Sequence, residues 1–71
     1  MNDIVKTMNE KIFDIVLGVN AEYVKRVEAG ASAEEQEALL AICGDTYKKL
    51  ILNNGLNKEY KEYAESRRAH R

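Results

Sequence analysis

The sequence predicts an all-α fold: an antiparallel helical hairpin, a short third helix, and assembly with further copies into a helical bundle. Three observations carry this. The 71 residues contain no proline and only four glycines, and the chain is rich in the strong helix formers Ala, Leu, Glu and Lys. Large apolar residues recur every three or four positions, the period of a helix with one buried face. Two of the glycines, Gly30 and Gly55, stand where the periodic stretches end, the place at which a left-handed residue stops a helix.

The first helix is expected over about residues 4–29, with Asp3 as N-cap and Gly30 as stop. Val5, Met8, Ile12, Val16, Val19, Tyr23 and Val27 follow one another at intervals of three and four. At about 100° per residue they form one stripe, and Phe13, Leu17 and Val24 form a second stripe beside it. Together they cover roughly 200° of the helix, about twice what one neighbouring helix needs. Gly18 costs about 1 kcal/mol inside a helix. An unbroken helix is the expectation; a break at Gly18, with Asn20 capping a new helix, is the alternative. Asn9 and Asn20 share one wheel angle inside the apolar arc, where they either pair across an interface and set its register or mark the wet edge of the arc.

The second helix, about residues 33–53, opens with Ser32-Ala33-Glu34-Glu35, a capping-box pattern. Its early glutamates and late lysines, Lys48 and Lys49, complement the helix dipole. Gln36, Leu40, Cys43, Tyr47, Leu50 and Asn54, flanked by Leu39 and Ile51, form the seam expected to lie along the first helix. The link Gly30-Ala31-Ser32 is short enough to make the pair antiparallel. Asn54-Gly55-Leu56 reads as a Schellman ending, and Asn57 as the cap of a third helix over about residues 58–69. That helix has only Tyr60, Tyr63 and Ala64 to pack with, so residues 66–71 are expected to be a frayed basic tail. The whole chain, 1–71, reads as one small domain.

A core at this length yields only a few kcal/mol of net stability. Cys43 is the only cysteine and His70 the only histidine, so neither an internal disulfide nor a structural metal can add to it. Self-association is the remaining device, and Ile12, Phe13, Val16, Leu17, Asn20 and Val24 are the residues expected at the interface between copies. No run is apolar enough for a membrane span, and the N-terminal residues lack the pattern of a signal peptide; a cytoplasmic location is the expectation.

Nothing in the residues points to catalysis. Cys43 sits mid-helix on the apolar seam, without the cation or helix N-terminus that lowers a thiol pKa, and His70 lies one residue from the end. The carboxylates fall on polar faces, and no cofactor is implied. Charge is uneven: residues 1–57 hold six Lys/Arg against nine Asp/Glu, and residues 58–71 hold five against three. In the basic tail Tyr60, Tyr63, Arg67 and Arg71 share one side of a helix, with Arg68 beside them. The simpler expectation is that the tyrosines dock on the hairpin with Arg67 lying over them. Alternatively the five residues form a face for a protein partner or an anion. The expected function is therefore a non-enzymatic interaction or regulatory protein, of the inhibitor or adaptor type met among phage and plasmid accessory proteins, which self-associates and binds a protein partner. Nucleic-acid or nucleotide binding through the third helix is the alternative, opposed by the acidic body.

Overall fold

The computed structural model describes residues 2–69, which form three helices and no strand. Helix α1 spans Asn2–Glu28 without a break. Gly18 costs it little, because the cost falls once in a helix of 27 residues. Asp3 lies inside the first turn instead of capping it, so its contribution is the attraction of a carboxylate to the positive end of the helix dipole. At the other end Gly30 takes φ 95°. Its amide donates to the Val27 carbonyl and that of Ala31 to the Arg26 carbonyl, 3.1 and 3.0 Å, the paired bonds of a Schellman stop.

Helix α2 spans Ala33–Tyr47. The Ser32 hydroxyl accepts from the Glu35 amide at 3.2 Å, and the Gln36 side chain donates back to the Ala31 carbonyl at 3.0 Å, so the connection is satisfied from both sides. Along the hairpin Val19, Tyr23 and Val27 of α1, and Gln36, Leu39 and Cys43 of α2, are half-buried. The expected seam is thus turned slightly. Leu39 faces α1, while Leu40 is 57% exposed and Asn54 faces solvent.

The expected continuous helix to residue 53 instead widens into a π-helical turn, Lys48–Leu52. The Asn53 amide reaches the Lys48 carbonyl at 2.9 Å, and the Asn54 side chain donates to the Lys49 and Leu50 carbonyls at 3.3 and 3.0 Å. On a regular α-helix adjacent residues point about 100° apart, so Leu50 and Ile51 could not both face the core squarely. The wide turn swings Ile51 inward until it is fully buried, while Leu50 stays packed beside it. Gly55, at φ 65°, closes this segment as expected; its amide donates to the Leu52 carbonyl and the Leu56 amide to that of Ile51.

Helix α3 spans Asn57–Ala69. Asn57 does not cap it. Its Oδ1 accepts from the Tyr47 hydroxyl, and the first helical carbonyl is that of Leu56, which receives the Tyr60 amide at 2.8 Å. The helix runs through Ala69, and Arg67 in this stretch reaches Asp14 of α1 at 3.4 Å; His70 and Arg71 lie outside the described residues. Phe13, Val16 and Ile51 are the buried core, with Ile12, Tyr47, Leu50, Leu56, Tyr60 and Tyr63 packed around them. The molecule is a slab of 45 × 29 × 16 Å, and its thin dimension is little more than the 10–12 Å of one helix. Its radius of gyration, 13.6 Å, exceeds the roughly 11 Å of a compact chain this long.

Candidate interaction surface

Three long side chains carry α3 onto α1. The Tyr60 ring meets Phe13 edge-on at 5.8 Å and Tyr47 at 5.6 Å, and the Tyr63 ring lies 5.4 Å from Phe13. The polar ends of these residues find partners at the rim. Tyr63 donates its hydroxyl to Asp14 at 2.7 Å, Arg67 reaches the same carboxylate oxygen at 3.4 Å, and the Asn20 amide approaches the Tyr60 hydroxyl at 3.4 Å. The Arg67 guanidinium also lies 5.4 Å over the Tyr63 ring, within cation–π range. Both phenols are held above the ordinary value of 10: Tyr63 chiefly by its bond to the Asp14 carboxylate, Tyr60 chiefly by burial. At neutral pH both are protonated; Tyr63 donates to Asp14, and Tyr60 accepts from Asn20.

This arrangement is the docked alternative for the tyrosines. Tyr60, Tyr63 and Arg67 are occupied within the chain, Arg68 is exposed, and Arg71 lies outside the described residues. Most of the residues expected at an interface between copies are instead covered within the chain. Phe13 and Val16, 3% and 0% exposed, and the half-buried Ile12 are covered by the chain's own later segments, because the π turn and α3 close over that side of α1. Leu17 is half-buried beside Ala64 and Arg67. Only Asn20 and Val24 of the six remain exposed, and the bond from Asn20 to Tyr60 places it at the wet edge of the arc.

The apolar residues that do face solvent lie elsewhere. Ile4, Met8 and Ile15 of α1 are 63, 61 and 54% exposed, and Leu40, Ile42 and Leu52 are about equally open. Ile15 sits two residues from both Phe13 and Leu17, hence about 160° around the helix from each. It points away from α3. A search for the widest apolar arc passes over Ile4 and Ile15 because Lys11 and Glu22 share their side; the signal that reveals them is their own spacing with Met8, four and seven residues apart.

Two open clefts flank α3. One, about 610 Å³, is lined by Val5, Phe13 and Tyr63 together with Lys6, Glu10, Glu59 and Glu62. The other, about 490 Å³, has Leu17, Gly18, Ala21 and Ala64 beside Arg67 and Arg68. Among the described residues neither is lined by a histidine or cysteine. Cys43 is half-buried on the hairpin, its thiol 3.9 Å from the Val19 carbonyl. Among the described residues no group of three or more His, Cys, Asp or Glu side chains could hold a metal ion, and no helix is long and apolar enough to cross a membrane.

No family model, curated protein or solved structure matches the chain. Its own surface is what carries a functional reading.

Proposed function

We propose that this chain is a non-enzymatic helical interaction protein, of inhibitor or adaptor type, that self-associates and binds a protein partner through apolar surface left open by its own fold. One observation carries the reading. The accessible surface is 5637 Å², whereas a compact monomer of this mass exposes about 4,500 Å². The excess, on the order of 1,100 Å², is comparable to the roughly 800 Å² per partner of a standard protein interface. A core of three buried side chains among the described residues, two of them fully buried, is thin for a chain without disulfide support, and burial against a second molecule would supply what the monomer lacks. A reducing cytoplasm suits its free cysteine.

Sedimentation velocity across the micromolar range tests the first half: a mass rising with concentration supports self-association, and a monomer at every concentration defeats it. The nucleic-acid reading has less behind it, because the Tyr60 and Tyr63 rings pack on Phe13 and are not free to stack on bases.

A further inference from the structure

The face of α1 that carries Ile15 is turned away from α2 and is exposed along its whole length, with Gly18 at its edge beside the cleft of Arg67 and Arg68. Ile4, Met8, Lys11 and Ile15 occupy its first half, Gly18, Glu22 and Lys25 its second, and Ala29 follows in the turn just past its end, all exposed. Their spacing alternates between four and three residues, the seam of a coiled coil. The eight also form four pairs with a common midpoint, at the height of Val16 and Leu17: Ile4 with Ala29, Met8 with Lys25, Lys11 with Glu22, Ile15 with Gly18. A single two-fold axis at that height sets each residue opposite its mate on a second, antiparallel helix. Lys11 then meets Glu22 of the second copy, and symmetry repeats the contact. Ile15 meets Gly18 of the second copy, where nothing lies within 4 Å of the position a Cβ would take, so a branched side chain has room to enter. Met8 lies along the aliphatic stem of Lys25. A parallel pairing would instead place Lys11 beside Lys11 and Glu22 beside Glu22, stacking like charges on the seam.

We propose that two copies of this chain pair back to back through this face, antiparallel, with the two-fold axis between Ile15 and Gly18. The proposal deepens the self-association reading above and rests on it. Charge sets the direction of the pairing, and the surface excess makes room for it. Arg26 holds Oε1 of Glu22 at 3.1 Å, which leaves the second carboxylate oxygen for Lys11 of the other copy.

Full-length variants at these exposed positions test it by sedimentation, with circular dichroism to establish that each keeps its helix. K11E and E22K should each weaken association about fivefold, since each sets two like-charged pairs on the seam. The double variant K11E/E22K should recover, and so should an equimolar mixture of the two single variants, because each opposed pair is then of opposite sign. I15D should weaken association about a hundredfold, whereas L40D, on another surface, should leave it unchanged. Association that survives I15D, or that the mixture fails to recover, overturns this pairing while leaving self-association intact. A wild-type chain that is monomeric throughout overturns both.

Discussion

Phe13 and Ile15 stand two residues apart on one helix and meet opposite fates, one 3% exposed and the other 54%. Both are large and apolar. What separates them is the later chain: the Gly55 turn sends α3 back across the side of α1 that carries Phe13, and among the described residues no segment returns across the side that carries Ile15. Two tyrosines of α3 complete the cover that Ile51 begins over Phe13, because a ring reaches farther than an aliphatic side chain and ends in a hydroxyl that bonds at the rim. The polar helix α3 therefore seals half of an apolar helix with very few apolar residues of its own. Sequence periodicity places Phe13 inside the apolar arc and Ile15 outside it, among Lys11, Glu22 and Lys25, and the returning chain covers the side with the wider arc.

The same truncation at the two sites should separate them most widely. Phe13→Ala removes the ring that Tyr60 and Tyr63 both pack on and should cost about 3–5 kcal/mol, enough in a domain this small to abolish a cooperative urea transition. Ile15→Ala, measured at concentrations dilute enough to suppress association, should stay within about 0.5 kcal/mol of the parent chain. A large loss at Ile15 in the dilute chain would mean that its side of α1 is covered after all.

The turn that creates the difference is the next place to break it. Gly55 has φ 65°, and a Cβ there meets no neighbour, so the effect of Gly55→Ala isolates backbone strain from crowding. It should destabilise by about 1–2 kcal/mol, read as a lower urea midpoint at unchanged slope. A changed slope would instead report that α3 had come away from Phe13, since the slope follows the surface exposed on unfolding.

Local chemistry made much of this readable. Gly30, Gly55 and the Ser32 cap act through bonds within five residues in sequence, and the helices they bound follow from them. The π turn lacks such a signature: it is drawn in by the fit of Ile51 against Phe13 and Val16, a demand made by other elements. The choice of Leu39 over Leu40 depends on the rotation of α2 about its own axis, which the hairpin partner sets. The cluster of Asp14, Tyr63 and Arg67 joins residues 49 and 53 positions apart, and although each looks like an ordinary surface residue, the tyrosines could be expected to dock. Their aspartate partner could not.

Alkaline pH sharpens the comparison from the covered side alone. Tyr60 and Tyr63 titrate above 10 in the fold and near 10 when unfolded, so the folded state favours the protonated phenol. Their contribution is complete below pH 10 and is lost as the pH rises through the higher folded values. Tyr63→Phe should flatten the fall in stability above pH 10, while the Ile15 side, which carries no tyrosine, should leave that slope untouched in Ile15→Ala.

The smallest effect belongs to Asp14. Its ion pair with Arg67 is half open to solvent, at 61 and 48% side-chain exposure, so Asp14→Ala should cost no more than about 1 kcal/mol. Its diagnostic value lies elsewhere. The carboxylate is the leading reason that Tyr63 titrates high, and removing it should move one phenol back toward 10 in an ultraviolet titration, leaving Tyr60, raised mainly by burial, where it was. A Tyr63 titration that does not move would mean that α3 meets α1 through its rings alone, with the Asp14 bond absent in solution.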